Sequence, residues 1–306
     1  MGFLPGSKKL TVQIREFIRR PRFDPTIPPP SDSRWPRITV VTPSFNQADF
    51  LEKTIFSIHN QMYPNLEHFV IDGGSTDGSM DILEKYENRL AYWHSRPDQG
   101  QCDAINQGTA KATGVFMTWI NSDDLLLPGT LNRIGGLIRD HPATDLFYGN
   151  QVEVDESDRV TKRVHTINFD LKDFLYEINI IIHQQSAFWK IELFRELEGL
   201  NECPYAMDYD LFYRMISSGI RWRRIDDFLS AFRVYPDSLT GSGEVMRSRT
   251  ETVDRIFQEA MGRPRNLWDQ KVLKYIYKTR RFAHQPKALL AAVENRLWQL
   301  LHSDPH

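Results

Sequence analysis

The 306-residue chain has 41% hydrophobic and 25% charged residues, a composition typical of a soluble globular protein. A formal net charge of −2 argues against a general nucleic-acid partner. The two cysteines, Cys102 and Cys203, are too few for a disulfide framework or a zinc site, so we expect a reducing compartment. No apolar run approaches the roughly 20 residues of a spanning helix, and the first residues lack a secretory signal's apolar core. We therefore expect a cytoplasmic protein.

The chain begins with a basic segment at 8–20, in which four apolar residues recur at helical spacing. These residues are Leu10, Ile14, Phe17 and Ile18. We interpret the segment as a helix packed on the outside of the domain; the alternative is a helix lying on an anionic membrane surface. Residues 21–36 are proline-rich and predict an extended linker. We therefore place 1–36 outside a globular domain that covers 37–245.

The next part of the chain alternates short apolar runs with amphipathic segments, which predicts buried strands alternating with helices. The predicted strands cover 38–42, 66–71, 90–94 and 115–120. We expect the helix over 102–111 to close at Gly114 in the left-handed conformation. The alternation predicts an α/β fold with a mostly parallel central sheet flanked by helices.

Acidic residues follow two of these predicted strands. Asp72 follows the second strand, and Asp123 and Asp124 follow the fourth. Because the carboxyl ends of parallel strands share one edge of a sheet, we expect the three carboxylates to converge. Adjacent carboxylates repel each other without a cation, and such hard oxygen ligands suit magnesium or manganese. The alternative is a polar turn that caps the next helix.

The second half of the chain is less regular. The predicted elements are a helix over 128–140, a strand at 146–148, a hairpin over 152–165, a strand at 186–189, a helix over 208–218 and one or two strands over 223–234. Residues 236–243 contain glycine hinges and predict a lid. Residues 246–306 predict a C-terminal helical extension. The basic and aromatic residues at 267–282 leave open whether it only covers the core or also contacts a membrane or a partner.

Four motifs occur together in the predicted domain: ITVVTPSFN at 38–46, VIDGGSTDG at 70–78, DQGQCDAINQG at 98–108 and NSDD at 121–124. Each is weak alone, but their combination resembles the inverting glycosyltransferases of family 2. The resemblance covers roughly residues 37–240. It implies the GT-A fold of nucleotide-diphospho-sugar transferases, a nucleotide-sugar donor, and Mn²⁺ or Mg²⁺ as cofactor.

The resemblance also implies roles for individual residues. Those expected to bind the nucleotide sugar are Thr42, Pro43, Ser44, Phe45, Asp72, Asp103, Asn121 and Ser122. Asn121 replaces the first aspartate of the family's Asp-any-Asp motif, so it offers hydrogen bonds but no charge. Asp123 is then the expected metal ligand, with Asp124 beside it. The residues alone leave two alternatives: Asp72 as a turn or cap residue, and Asp103 as a charge in the first turn of a helix.

An acidic pair at the start of the helix over 208–218 resembles the family's general base. Asp208 falls on the base position and Asp210 is the runner-up, while Met207 replaces the usual first acid. The alternative is that both carboxylates only favour the positive end of the helix dipole. We expect His183 and the two following glutamines to line the acceptor side, with the alternative of a packed histidine.

The resemblance implies transfer of a single sugar to a hydroxyl of a glycan or lipid-linked acceptor, in cell-surface polysaccharide or glycoconjugate biosynthesis. Residues 221–224 lack the glutamine of the processive relatives' signature, and Arg233 stands where a basic residue can serve the diphosphate. No glycine- and lysine-rich triphosphate loop follows the first strand, which disfavours a nucleotidyltransferase. The remaining alternative is a catalytically degenerate nucleotide-sugar-binding protein.

Overall fold

The computed structural model describes residues 7–176, 182–201, 206–236 and 243–273, together with residues 276, 290 and 293. The helices are α1 (Ser7–Ile18), α2 (Ala48–His59), α3 (Ser79–Lys85), α4 (Gln101–Lys111), α5 (Thr130–Asp140), α6 (Leu171–Tyr176), α7 (Ile191–Glu196), α8 (Met207–Ser217) and α9 (Gly243–Met261). The strands are β1 (Ile38–Ser44), β2 (Leu66–Asp72), β3 (Tyr92–Ser95), β4 (Phe116–Trp119), β5 (Leu125–Leu126), β6 (Leu146–Val154), β7 (Val160–Val164), β8 (Ala187–Lys190) and β9 (Trp222–Arg233).

The described strands form one sheet in the order β3-β2-β1-β4-β8-β6-β9-β5, with β7 beside β6. β1 pairs in parallel with β2 and β4, and β2 pairs in parallel with β3. β5, β7 and β8 run opposite to the other strands. The predicted α/β fold with a mostly parallel sheet is confirmed. The predicted strand at 146–148 and the first strand of the hairpin are one continuous strand, β6.

Helices flank the sheet because its central strands are apolar on both faces. In β1, Val40 packs into a cluster with residues of α5, and Val41 packs into another with residues of α4 and α8. Successive side chains of a strand point to opposite faces, so a continuous apolar run supplies both clusters. Gly108 of α4 lies directly over Val41, where an added Cβ would come within 2.6 Å of Val41 Cγ1. Glycine at this position therefore lets α4 approach β1 closely.

The N-terminal segment packs against the domain. α1 buries Ile14, Phe17 and Ile18 against residues of β5, β6 and β7. The predicted helix is confirmed, and its apolar face is covered by the chain itself. Residues 21–36, predicted as an extended linker, instead lie on the domain. Phe23 is buried among residues of α2 and α3, and Trp35 packs against the cluster that contains α5.

Gly114 differs from the prediction. α4 ends at Lys111 with an extended Ala112 as its C-cap, and Gly114 is not among the residues with positive φ. An added Cβ would lie 2.9 Å from the backbone nitrogen of Thr39. Close packing against β1, and not a left-handed cap, therefore requires glycine here. α5 also begins later than predicted, at Thr130.

The C-terminal region is described in part. α9 and a π-helical turn at Asp269–Leu273 agree with the predicted helical extension. Most of the predicted lid over 236–243 and most of the tail beyond 273 lie outside the described residues. No helix in the described part of the chain is long and apolar enough to cross a membrane.

Candidate functional site

The carboxyl ends of β1, β2 and β4 lie side by side at one edge of the sheet. Ser44 is opposite Asp72, and the N–H of Gly73 donates to the carbonyl of Ser44 at 2.8 Å. On the other side of β1, the N–H of Ile120 donates to the carbonyl of Val41 at 2.9 Å. The loops after the three strands therefore leave from one edge, where open α/β sheets bind ligands.

Asp72 is fully buried and bonded within its own loop. Its Oδ1 accepts from the N–H of Ser75 and from the hydroxyl of Ser95, each at 2.9 Å, and its Oδ2 accepts from Ser75 Oγ. These contacts give Asp72 a clear role in the turn. Because an ionised carboxylate has about four acceptor positions, Asp72 retains capacity for a further donor, and its contact with a nucleoside stays a prediction.

Thr42 and Ser44 lie two residues apart on β1 and differ in their hydrogen bonding. Thr42 Oγ1 lies 3.0 Å from His68 Nε2, and His68 Nδ1 lies 3.0 Å from His59 Nε2. Burial lowers the pKa of both histidines, that of His68 to about 3, so both rings are neutral. Ser44 Oγ is buried and has no hydrogen-bond partner among the described residues. The Thr42 hydroxyl is thus committed to His68, whereas that of Ser44 is open to a ligand.

Pro43 and Phe45 each follow one residue of this pair in the sequence, Thr42 and Ser44 respectively. Pro43 is buried within β1 and has no N–H to donate. Phe45 is 61% exposed, and its ring lies near Gly73, where an added Cβ would come within 3.3 Å of Phe45 Cδ2. An exposed aromatic ring is a surface on which a planar base can stack. Phe45 and Ser44 are therefore the side chains of this motif that the structure leaves available.

Asp124 is fully buried, and protein groups occupy both of its carboxylate oxygens. Oδ1 accepts from the N–H of Arg233 at 2.9 Å, and Oδ2 accepts from the amides of Asn121 and Gln185, each at 3.1 Å. Burial raises the pKa of Asp124 well above its ordinary value, and the charge of Asp123 adds to this. The structure thus places Asp124 as an anchor of the turn rather than as an open ligand.

Asp123 is half-buried and has a different environment. The hydroxyl of Tyr235 donates to its Oδ2 at 3.0 Å, while Oδ1 accepts no hydrogen bond from another described residue. Burial raises the pKa of Asp123, against the lowering effect of the bond from Tyr235. Burial and the charge of Asp123 raise the pKa of Tyr235 to about 12, so its phenol keeps its proton. Asp123 therefore presents one free carboxylate oxygen.

Arg233 does not face the edge of the sheet. Its side chain is fully buried: Nε donates to the carbonyl of Asp123 at 2.8 Å and Nη1 to the carbonyl of Asp155 at 2.8 Å. Nη2 lies 2.8 Å from Oδ1 of Asp158, and the guanidinium lies 4.6 Å from the centroid of the Phe50 ring. The expectation that Arg233 serves a diphosphate is wrong, because the guanidinium is buried and contacts the turn after β4 and the turn between β6 and β7.

Asn121 connects α4 to the carboxylate turn. Gln101 Nε2 donates to Asn121 Oδ1 at 2.7 Å, and Asn121 Nδ2 donates to Asp124 Oδ2 at 3.1 Å. An aspartate here could not donate to Asp124, so the buried carboxylate explains the amide. Ser122 is buried, and its carbonyl accepts from the hydroxyl of Thr54 at 2.8 Å. The nucleotide contacts predicted for Asn121 and Ser122 stay predictions.

Asp103 lies in the first turn of α4 and is partly exposed. Its Oδ2 accepts from the N–H of Gln99 at 3.1 Å and from Gln107 Nε2 at 2.8 Å. This geometry supports the reading of Asp103 as a first-turn carboxylate at the positive end of a helix. A contact with the donor's ribose or sugar stays a prediction.

The two aspartates at the start of α8 also differ from each other. Asp208 Oδ1 accepts from the N–H of Tyr209 at 2.8 Å, and no described side chain bonds its other oxygen. Burial raises the pKa of Asp208, against the lowering effects of the Tyr209 N–H and the Arg249 charge. A carboxylate with a raised pKa is a better proton acceptor near neutral pH than an ordinary aspartate.

Asp210, two residues further on, forms ion pairs with two arginines. Arg214 Nε and Asn201 Nδ2 donate to its Oδ2 at 2.8 and 2.9 Å, and Arg255 Nη2 donates to its Oδ1 at 2.6 Å. Burial acts to raise the pKa of Asp210, but the bond from Arg255 and the charge of Arg214 outweigh it, and the pKa is lowered. Asp210 therefore ties α8 to α9 and is unsuited to accept a proton.

A chain of side-chain contacts links the start of α8 to the turn after β4. Met207 Sδ lies 3.2 Å from Cys102 Sγ in α4. The neighbour of Cys102 in α4 is Gln101, which bonds Asn121. Asp208 and the carboxylate turn thus border the same end of α4. These contacts support the prediction that the turn and Asp208 belong to one site.

The donor set at the edge fits a divalent cation only in part. No group of three or more His, Cys, Asp or Glu side chains within the described ranges is arranged to hold a metal. Mg²⁺ in phosphate-binding sites uses one or two carboxylates and completes its shell with phosphate oxygens and water. The free oxygen of Asp123 meets that minimum. The residues therefore fit a cation that is shared with a diphosphate, and not one held by protein alone.

The contacts of several residues near the turn after β4 were not predicted from the sequence. Gln185, expected on the acceptor side with His183, is buried and bonds Asp124, and Gln184 bonds the carbonyl of Trp119 at 2.7 Å. Tyr235 bonds Asp123, and Gln47 bonds Tyr235; the sequence predicted neither contact. One signal was available, since Gln47 directly follows the first motif and Tyr235 follows the end of a predicted strand.

The mostly parallel sheet with helices on both faces is the GT-A fold. A structure that supports this fold is mannosyltransferase PcManGT from Pyrobaculum calidifontis in complex with GDP-Man and Mn²⁺. The alignment has a TM-score of 0.54 and 18% identity, over 98% of this chain and 84% of that one.

Sequence comparison gives the family. The profile of glycosyl transferase family 2 matches residues 39–198, and the chain belongs to this family. An uncharacterized glycosyltransferase of Mycobacterium tuberculosis is 36% identical over 156 residues, which are 50% of this chain and 58% of that protein. This match thus covers little more than half of the relative's own length. A PGL/p-HBAD biosynthesis glycosyltransferase of the same species is 31% identical over 188 residues, or 60% of this chain and 71% of that protein.

Proposed function

We propose that the chain transfers a single sugar from a nucleotide-diphosphate sugar to a hydroxyl of a glycan or lipid-linked acceptor, with inversion at the anomeric carbon. The observation that carries the proposal is the pair of open carboxylates, Asp123 after β4 and Asp208 at the start of α8, at one end of α4. In a family 2 glycosyltransferase, these two groups match the two needs of the reaction: charge neutralisation at the leaving group and proton removal at the acceptor.

Donor binding is assigned to the edge of the sheet. The exposed ring of Phe45 offers a stacking surface for the base, Asp72 keeps acceptor capacity, and the unpartnered hydroxyl of Ser44 offers a hydrogen bond. Asp123 would hold Mn²⁺ or Mg²⁺ together with the diphosphate. Such a cation supplies Lewis-acid stabilisation of the negative charge that grows on the leaving diphosphate. Asp124 holds the turn so that the Asp123 carboxylate stays at the edge.

Proton removal is assigned to Asp208. Its open oxygen accepts the proton of the acceptor hydroxyl as that oxygen attacks the anomeric carbon from the face opposite the leaving group. Asp210 keeps the first turn of α8 fixed through its bonds to Arg214 and Arg255. The base is therefore placed by a neighbour that does not itself take part in the chemistry.

The setting we propose is the synthesis of cell-surface polysaccharide or glycoconjugate in the cytoplasm. One relative is named for PGL/p-HBAD biosynthesis. The surface that we propose for contact with the inner face of the membrane is the C-terminal extension. There Leu267 and Trp268 are 69% and 62% exposed, close in sequence to Lys271, whereas the apolar face of α1 is buried.

The test is a panel of nucleotide sugars with Mn²⁺, first scored by thermal stabilisation and then by turnover with candidate acceptors. A bound donor raises the melting temperature because it binds only the folded state. Nuclear magnetic resonance of the product distinguishes inversion from retention. Asp123→Ala should abolish the dependence of turnover on Mn²⁺. Undiminished turnover in this variant, or a product with retained configuration, contradicts the assignment.

A second candidate is a nucleotide-sugar-binding protein without catalysis. The observation that favours it is that Asn121 and Met207 stand where the family resemblance places acidic residues. Calorimetry with nucleoside diphosphates followed by assays of donor hydrolysis and transfer separates the two. Binding without either reaction, across the full panel, would favour this second function.

A further inference from the structure

Tyr235 lies against Asp123 and also contacts the side chains of Gln47 and Phe50. Its hydroxyl donates to Asp123 Oδ2 at 3.0 Å, and Gln47 Nε2 lies 3.2 Å from the same hydroxyl. Its ring centroid is 5.2 Å from that of Phe50 in α2. A cavity of about 290 Å³ opens beside this group and is lined by Asn46, Gln47, Asp49, Phe50 and Tyr235. The end of β9 and the start of α2 thus meet at the Asp123 carboxylate.

The donor and acceptor roles in this arrangement follow from chemistry. A side-chain amide nitrogen can only donate, so Gln47 donates to the phenol oxygen. An ionised carboxylate can only accept, so the phenol proton points at Asp123 Oδ2. The direction of both bonds is therefore fixed. This leaves Asp123 Oδ1 as the carboxylate oxygen without a hydrogen bond from another residue that the structure describes.

We propose that Tyr235 and Gln47 are positioning residues that orient the Asp123 carboxylate, so that Oδ1 is the oxygen presented to the divalent cation. The proposal rests on the proposed function, since it needs a cation at Asp123. Hydrogen-bond partners of a metal-binding side chain fix its orientation, and their loss typically lowers metal affinity about 10–100-fold. In the opposite case, Tyr235 would compete with the cation for Asp123, and the cation would have to displace the Tyr235 hydroxyl before it could bind.

The experiment measures Mn²⁺ binding to Tyr235→Phe in the presence of UDP and, separately, of GDP. Free Mn²⁺ is followed by electron paramagnetic resonance. The variant keeps the ring against Phe50 and loses only the hydroxyl. We expect Mn²⁺ affinity to fall about 10–100-fold, while nucleotide affinity in EDTA stays that of the wild type. Gln47→Met should give a smaller fall, because the phenol keeps its bond to Asp123 but loses its orienting donor.

The matched control is Tyr63→Phe. It also removes one phenol hydrogen bond, that from Tyr63 to the carbonyl of Pro36 at 2.6 Å, but has no contact with Asp123. Its Mn²⁺ affinity should equal that of the wild type, even if its melting temperature falls. A fall in affinity that the control shares would indicate a general structural effect and overturn the proposal.

The outcomes separate this proposal from the proposed function. A wild-type protein that binds no Mn²⁺ with either nucleotide contradicts the cation assignment itself. If Tyr235→Phe binds Mn²⁺ as tightly as the wild type, the positioning role is wrong. If the variant binds Mn²⁺ more tightly, Tyr235 competes with the cation for Asp123, which also overturns the proposal. Should Tyr235→Phe fail to fold, an unchanged Mn²⁺ affinity in Gln47→Met overturns the proposal.

Discussion

Two pairs of aspartates, one after β4 and one at the start of α8, are built in the same way. In each pair one carboxylate has both oxygens bonded to protein: Asp124 to Asn121, Gln185 and Arg233, and Asp210 to Asn201, Arg214 and Arg255. The other carboxylate of each pair, Asp123 or Asp208, keeps an oxygen open.

In the function we propose, this arrangement leaves one carboxylate of each pair available for chemistry. A buried charge is stable only when it is paired and hydrogen-bonded. Asp210 meets that requirement through Arg214 and Arg255, and its pKa is lowered. Among the described residues, the Asp124 carboxylate is bonded only by two amides and a backbone N–H, and its pKa stays raised. Hydrogen bonding therefore separates the two bonded carboxylates from the two that keep an open oxygen, and we propose that the latter two carry the chemistry.

The largest effect is expected on turnover from Asp208→Asn. If Asp208 is the base, kcat should fall about 10²–10⁴-fold, because a positioned base contributes that much. The raised pKa of Asp208 also predicts how the rate depends on pH. The wild-type rate should fall as the pH drops, because Asp208 takes up a proton, and the apparent pKa should lie above the ordinary aspartate value of 3.8. A pH–rate profile of wild type and variant measures both. If Asp208→Asn turned over substrate at the wild-type rate, Asp208 would not be the base.

The next effect is on stability, from Asp210→Ala. Removing a buried carboxylate from two arginines should lower the free energy of unfolding by about 3–5 kcal/mol, measured with urea. The pKa of Asp210 is lower in the folded protein than in the unfolded chain. Asp210 therefore adds to the free energy of unfolding above its pKa in the unfolded chain, and this stabilisation is lost as the pH falls through its pKa in the folded protein. The variant should lack that acid-side loss. The control is Glu259→Ala, which removes an exposed partner of Arg255 and should change stability by about 0–1 kcal/mol.

A smaller effect is expected from Asn121→Asp, which turns the donor facing Asp124 into a second carboxylate. The free energy of unfolding should fall by about 1–3 kcal/mol at neutral pH, because Asp124 loses a bond and faces a like charge. The loss should shrink in acid, where one carboxyl of the pair takes a proton. Asn121→Ala removes the donor without adding charge, so its loss should be smaller at neutral pH. Equal losses at all pH values would refute the like-charge account.

The smallest effects test Ser44 and Thr42, the open and the committed hydroxyl of β1. Ser44→Ala should leave stability unchanged and weaken nucleotide binding by about 0.5–1.5 kcal/mol, the worth of one hydrogen bond. Thr42→Val should lower stability by a similar amount through its loss of His68, with nucleotide affinity unchanged. Calorimetry with UDP and GDP and thermal unfolding measure the two quantities. An exchange of the two phenotypes would contradict the assignment.

The sequence allowed a mostly parallel sheet to be predicted, because short apolar runs alternate with amphipathic segments. The order of the strands was not predicted. The sequence also predicted that Asp72 and the turn after β4 lie at one edge. The division between Asp123 and Asp124 was not predictable, because it depends on Gln185 and Arg233, which are distant in sequence.

Other errors have the same physical origin. Prolines at 21–36 indicated a linker, but Phe23 and Trp35 find apolar partners that only the folded domain provides. Gly114 was predicted to be a left-handed helix cap because a glycine follows the helix. The same pattern arises when glycine is required by close packing, as it is here against Thr39. Arg233 was judged by its charge, and its burial follows from the position of the turn between β6 and β7.

The helix before the first strand has a consequence for what counts as one unit of this chain. Similarity to the family begins at residue 39, yet Ile14 and Phe17 lie against β5 and β7, and Asn60 of the core donates to the carbonyl of Phe17. A fragment cut at the family boundary would uncover this apolar surface and would tend to aggregate. The segment that matches the family is thus shorter than the segment that must fold together. Helix α1 shields part of the hydrophobic core from solvent.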